Sequence, residues 1–343
     1  MAKFTISKSK VINQYKKLQN LADIISYSSK TNQDATKILE KETSCFFSVH
    51  LTNELIHIKD KSRVIFLPQG WTKEQIESIL NQGINNFIVD NEPDLNILES
   101  FLESNNHNKK ITIFLRAKIK ERTLRTERYF VFGMSSEIVN KRIQSLNNKF
   151  KDKINFGIHF HRKTQNMSEW NLQYELDEIL DKSTLDIIST LNIGGGIPSE
   201  YANTNMDVLD SIFKKIQLLR NWLKDFNIKL IIEPGRFISA PAGKLITKII
   251  NVYDGNIIVD ASIYNSDMDA LIVPVKLKIK GELEKGEAYV VKGVTPCSMD
   301  LFRYRVYLKN PKIGDELIFL NAGAYNFTTD FCDLDKLKVE IIG

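Results

Sequence analysis

Cysteine is scarce in this 343-residue chain: there are three, Cys45, Cys297 and Cys332, far apart and odd in number. Such a set excludes a disulfide framework and lacks the close spacing of a zinc site, so reduced thiols and no metal are expected. Long apolar runs are absent as well; none reaches the roughly 20 residues that cross a bilayer. The opening MAKFTISKSK has no apolar stretch of the signal-peptide kind. A soluble, cytoplasmic protein without a membrane partner is the expectation. Charge of one sign is not concentrated either. The 47 Lys and Arg are interspersed with 42 Asp and Glu, for a net charge of +5, and nothing points to nucleic acid. Repeats and low-complexity tracts are missing.

What is present is 43% hydrophobic residues over a length that suits one barrel of about 250 residues and a smaller second domain. Eight short apolar runs punctuate the first 235 residues: Asp23–Lys30, Ser44–His50, Arg63–Pro68, Asn86–Asp90, Ile111–Arg116, Phe156–His161, Leu191–Gly196 and Leu230–Gly235. Amphipathic, helix-like stretches separate most of them. Thr72 with Gln75 starts one such helix as a capping box, and Ser168-Glu169 is read as opening another. Strand and helix alternating through eight cycles predict an α/β fold, a (β/α)8 TIM barrel over residues 1–243.

From about Lys244 the pattern changes to short β-rich runs, Leu245–Val252, Asn256–Asp260, Leu271–Ile279, Glu287–Val291, Arg303–Leu308 and Glu316–Asn321, separated by Gly, Pro and Asp turns. An antiparallel β domain over residues 244–343 is predicted.

In a (β/α)8 barrel the chemistry sits on the loops after the strands. Those ends carry Lys30, Ser48 with His50, Arg116, His161, Gly194 to Gly196, and Glu233 with Gly235 and Arg236. A triple glycine after the seventh strand lets backbone amides approach an anion, as phosphate sites in such barrels do; alone it also fits a bare turn. Arg236 offers an always-charged planar fork to a phosphate or carboxylate. Glu233 suits a surface ion pair or, beside a phosphate cradle, a partner that keeps a pyridine nitrogen protonated. Lys30 at the first strand's mouth is either solvated or the amine that meets an aldehyde cofactor. The segment from Lys118 to Arg128, with Lys120, Arg122 and Arg125, is strongly cationic and reads as a solvated loop or a lid over an anion.

Tyr27-Ser28-Ser29-Lys30-Thr31-Asn32 resembles the Y-A-x-K-x-N motif of the pyridoxal-phosphate-dependent decarboxylases of the alanine-racemase fold, the ornithine, diaminopimelate and arginine decarboxylase group. Gly157-Ile158-His159-Phe160-His161 is similar to their G-x-x-x-H motif and Leu191 to Gly196 to D-I-G-G-G. Glu233-Pro234-Gly235-Arg236 matches E-P-G-R, and Gly323-Ala324-Tyr325 resembles G-A-Y. The motifs keep their order from Lys30 to Tyr325. The resemblance implies a fold-type-III enzyme with pyridoxal 5'-phosphate as cofactor. It implies that Lys30 holds the cofactor aldehyde as a Schiff base, Glu233 binds the pyridine nitrogen and His161 stacks on the ring. Gly194, Gly195, Gly196, Gly235, Arg236, Tyr325 and Thr164 would surround the phosphate, with Arg116 next to the cofactor. It also implies a homodimer with shared active sites, to which each chain lends a segment like Gly293–Asp300, with Cys297 as a proton donor.

Several positions depart from the pattern. Pro296 takes the usual cysteine place and Cys297 follows it, Ser48 stands where aspartate is common, and Asn192 replaces the aspartate of D-I-G-G-G. Arg162 and Lys163 replace an aliphatic residue and a glycine, which reads as added positive charge for an anionic substrate group. Asp260 and Asp300 are candidates to meet a distal ammonium. The expected reaction is α-decarboxylation of an amino acid, a diamino acid or one with a modified side chain. A racemase on the same fold and a non-catalytic cofactor-binding protein are the alternatives.

Overall fold

The computed structural model describes residues 1–104, 110–119 and 131–343. Lys120, Arg122, Arg125 and Arg128 of the basic segment therefore lie outside the described residues. The chain forms two compact units, one made of Lys16–Pro198 and Val208–Gly235, the other of Met1–Tyr15, Ser199–Asp207 and Arg236–Gly343. This corrects the expected division at residue 243. Strand β1 (Lys3–Ser7) runs antiparallel to β10 (Gly243–Tyr253) and parallel to β16 (Lys338–Ile342), so the N-terminus belongs with the C-terminal sheet.

In the first unit eight parallel strands pair in sequence order and close: β2 (Ile24–Ser28), β3 (Phe46–Val49), β4 (Val64–Phe66), β5 (Asn86–Val89), β6 (Ile111–Arg116), β7 (Ile154–His159), β8 (Thr190–Asn192) and β9 (Lys229–Ile232). Both faces of such a strand are covered, which is why the sequence shows continuous apolar runs instead of strict alternation. The outer helices are amphipathic. In Leu209–Lys224 the buried residues Ile212, Ile216, Leu219 and Leu223 form one stripe. The Thr72–Gln75 capping box opens the helix Lys73–Asn81 as expected. Ser168 does not open a helix; that helix runs Leu172–Ile179, and Trp170 instead donates its indole N–H to the Asn166 carbonyl in the preceding loop.

Side chains two apart on a strand share a face. Inside the barrel, Ile24, Phe46, Ile65, Ile88, Phe114 and Ile231 form an apolar layer. Two residues further along their strands stand Ser26, Ser48, Asp90, Arg116 and Glu233, so a polar layer lies directly over the apolar one.

The second unit is an eight-stranded sheet along the path β12 (Lys278–Ile279), β15 (Glu316–Leu320), β10, β11 (Asn256–Val259), β13 (Leu283–Lys292) and β14 (Leu301–Tyr307), with β1 and β16 added at β10. It is mixed rather than purely antiparallel, because β11 runs parallel to β13 and β1 to β16. The run read as a strand over Leu271–Ile279 is mostly not one: Asp269–Ile272 is a helical turn. The core of this unit gathers Leu245, Ile249, Ile257, Val259, Val291, Val306 and Phe319.

Gly157 of β7 shows how tightly the barrel interior is filled. A Cβ there would stand 2.5 Å from the Phe114 ring and 2.6 Å from Thr190 Oγ1, in the same layer. Gly157→Ala is expected to lower the unfolding free energy by about 1–3 kcal/mol through overpacking, measured by denaturant titration. An unchanged midpoint would contradict this packing.

Candidate active site

The polar layer of the barrel converges on Glu233, just past β9, whose side chain is 11% exposed. Its Oε1 accepts hydrogen bonds from Ser48 Oγ at 2.7 Å and Asn192 Nδ2 at 2.8 Å. Its Oε2 faces His159 Nε2 at the longer distance of 3.4 Å. Burial opposes the charged carboxylate, but His159 facing Oε2 together with the hydrogen bonds of Ser48 and Asn192 outweighs it. The group is held well below the ordinary carboxylate range. Arg116 and Asp90, at the ends of neighbouring strands, pair at 3.2 Å, and the Phe132 ring covers the guanidinium.

Three histidines surround this carboxylate, and all are pushed toward the neutral form. Burial, then the charge of Lys30, brings His50 down to about 3. Burial, then the charge of Arg116, brings His161 down to about 3. Burial also lowers His159 against the pull of Glu233. His161 is oriented by its Nδ1, which accepts the Gly195 N–H at 3.2 Å. Lys30 is exposed in the single 3-10 turn Ser29–Thr31 that follows β2, and among the described residues its amine has no hydrogen-bond partner.

The triple glycine is a close-packed turn. Gly194 and Gly196 have φ of +65° and +103°, and Cβ atoms on Gly194 and Gly195 would meet the carbonyls of Phe160 and Glu233 at 2.7 and 2.6 Å. Two of its amides are already engaged, Gly194 N–H with Asn192 Oδ1 at 2.9 Å and Gly195 N–H with His161. Gly235 packs against the buried Thr31. Thr164 sits half-buried in the turn after β7.

Arg236 and Tyr325 are brought together within the second unit, the guanidinium 4.8 Å from the ring centroid. Arg236 is not a free fork, however. Its terminal nitrogens bind both carboxylate oxygens of Asp269, one of them at 2.9 Å, and Nη1 also donates to Tyr201 Oη at 2.9 Å. Among the described residues only Nε of this buried group lacks a partner.

The side chains expected to bind substrate all have partners within the chain. Arg162 is buried and ion-paired to Glu169 and Glu175, and Lys163 pairs with Glu169, so this segment carries no spare positive charge. Asp260 accepts the Lys248 N–H at 2.7 Å across the β10–β11 hairpin and lies 3.6 Å from the N-terminal amine. Asp300 is 1% exposed and accepts from Ile263 N, Thr295 N and Thr295 Oγ1, which clamps the Gly293–Asp300 segment from inside. Cys297 is half-buried, with Sγ 3.2 Å from Tyr264 Oη. That contact is the largest cause lowering the thiol and raising the Tyr264 phenol to about 12.

His159 went unassigned in the sequence although it precedes His161 by two and shares its strand face. Asp269 and Tyr201, which engage Arg236, carried no local signal.

The donor set fits a pyridoxal ring. An unpartnered primary amine suits an aldehyde, an ionised carboxylate with one under-used oxygen suits a protonated pyridine nitrogen, and a neutral, pinned imidazole suits a flat ring face. Among the described residues no group of His, Cys, Asp or Glu is arranged to hold a metal ion, and no helix is long and apolar enough to cross a membrane.

The neutral histidines predict acid sensitivity. Unfolded, each takes up a proton near 6.5; folded, His50 and His161 do so only near 3. Stability of the cofactor-free protein is therefore complete above about pH 6.5 and falls as pH drops toward 3, each ring adding up to about 1.4 kcal/mol per pH unit. His161→Phe should flatten the fall of melting temperature between about pH 7 and about pH 4. An equally steep fall in that variant would contradict the assignment.

Comparison with known proteins agrees with this geometry. Residues 8–240 match the model for the pyridoxal-binding domain of the pyridoxal-dependent decarboxylases. The diaminopimelate decarboxylase of Aquifex aeolicus is 26% identical over 289 residues, covering 77% of this chain and 66% of that enzyme, so the chain spans just under two thirds of the relative's length. The fold is shared with the Helicobacter pylori diaminopimelate decarboxylase solved with L-lysine (TM-score 0.82, 20% identity, 100% of this chain and 92% of that one). It is likewise shared with the Vibrio vulnificus lysine/ornithine decarboxylase solved with putrescine (TM-score 0.78, 22% identity, 100% and 94%). The chain belongs to the pyridoxal-dependent decarboxylase family, with pyridoxal phosphate as its cofactor.

Proposed function

We propose that this protein removes the α-carboxylate of an amino acid as carbon dioxide, with a diamino acid as the substrate class. The observation that carries this reading is the ionised Glu233 set in the barrel beside neutral His159 and His161. When bound, pyridoxal phosphate supplies an aldehyde that condenses with amines and a pyridine ring that accepts the electron pair left by the departing carboxylate.

Lys30 is the amine that binds the aldehyde and yields it to the substrate amine. Glu233 keeps the proton on the pyridine nitrogen, so charge developing in the ring meets a preorganised partner. His161, neutral and pinned by Gly195, offers a ring face without placing a competing positive charge there. Gly194 to Gly196 are proposed for the phosphate, with Thr164 and Arg116 near the cofactor. A carboxylate at the pyridine position favours full withdrawal of the electron pair, and hence decarboxylation over racemisation. Lys30 or Cys297 returns the proton to the α-carbon. The homodimer belongs to the same reading: Val294 and Met299 are exposed around half-buried Cys297, a surface suited to completing the site of a second copy.

The test is release of carbon dioxide from diaminopimelate, lysine, ornithine and arginine by protein loaded with pyridoxal phosphate, at twice the 39.5 kDa chain mass in solution. Glu233→Gln should retain the cofactor and lose about 100-fold or more in kcat, because the lost interaction is strongest as charge develops. Release from none of the four, or near-normal turnover by Glu233→Gln, would contradict the proposal.

A further inference from the structure

We propose that Ser48 and Asn192 are positioning residues, two neutral donors that lock one oxygen of Glu233 and so decide which oxygen meets the pyridine nitrogen. The inference rests on the reading of Glu233 given above and goes beyond it to residues that never touch the cofactor.

The directions of these hydrogen bonds are forced. Gly194 N–H can only donate, so Asn192 must present Oδ1 to it and Nδ2 to Glu233. Asn192 therefore has a single possible orientation. The ionised carboxylate can only accept, so the Ser48 hydroxyl donates to it. Ser48 Oγ is then left to accept from Ser26 Oγ at 2.7 Å, in a wholly buried pair. The Glu233 backbone joins the same lattice, its N–H donating to the Gly194 carbonyl at 2.7 Å. Asn192 and Gly194 thus hold Glu233 at both its main chain and its carboxylate.

The result is asymmetric. Oε1 has two short donors, at 2.7 and 2.8 Å, while Oε2 has only His159 at 3.4 Å. A carboxylate free to rotate would present either oxygen; this one keeps Oε2 as the acceptor with capacity for a short charge-assisted hydrogen bond. Neither Ser48 nor Asn192 carries charge, so both hold the carboxylate without perturbing the electron pair it shares with a cationic ring nitrogen. Supporting groups of this kind typically matter because the groups they hold must not move during the reaction.

Asn192→Leu and Ser48→Ala each remove one donor from Oε1 of Glu233. Loaded with pyridoxal phosphate, each variant should lose about 10-fold or more in kcat with little change in KM. The nitrogen-15 shift of ring-labelled pyridoxal phosphate should move in both variants without substrate, a signal that a merely structural role would not produce. Ser48→Ala, the smaller change, decides the matter if Asn192→Leu does not fold. Ser48→Ala with unchanged kcat and an unchanged nitrogen-15 shift would overturn the inference. Wild-type protein that neither binds pyridoxal phosphate nor releases carbon dioxide would instead overturn the underlying functional reading.

Discussion

One nearly buried charge organises the barrel mouth. An ionised carboxylate taken out of water costs several kcal/mol unless donors replace its hydration, and Glu233 has its replacements from three different strands: Ser48 in β3, Asn192 at the end of β8, and His159 at the end of β7. Each donor is fixed by something else, Ser48 by Ser26, Asn192 by Gly194, and His159 by complete burial. The histidines stay neutral chiefly because burial keeps water from stabilising a cation there, and Lys30 beside His50 and Arg116 beside His161 add positive potential.

This layer stands on a sharp transition. Ile24 gives way to Ser26, Phe46 to Ser48, Ile88 to Asp90, Phe114 to Arg116 and Ile231 to Glu233, each two residues on and so on the same inward face. The apolar layer of Ile65, Ile88, Phe114 and Ile231 closes the bottom, and the polar layer over it is the chemistry. Rigid strands thus hold every group around the carboxylate, which is what electrostatic preorganisation requires.

The same alternation explains what was legible in the sequence. Eight apolar runs with polar ends were enough to place the barrel and to bring Lys30, His161, Gly194 to Gly196 and Glu233 to one end of it, because those signals are local. What was missed is non-local. Strand β1 joins a sheet with β10 and β16, a pairing between chain ends that no local pattern announces. Arg236 looked like a free phosphate fork because Asp269, its partner, lies 33 residues on. Arg162 looked like a free cation until Glu175, 13 residues on, was placed beside it. In each case the charge was real and its partner came from another element. His159 is the exception; stepping two residues back from His161 along one strand face would have found it.

The most direct measurement of this account is where the cofactor aldehyde attaches. Protein incubated with pyridoxal phosphate, reduced with borohydride and digested should yield one modified peptide, the one containing Lys30, the amine at the mouth of β2 that has no partner among the described residues. Modification at a different lysine, or none above the background of exposed surface amines, would contradict the arrangement of Lys30, His161 and Glu233 around one ring.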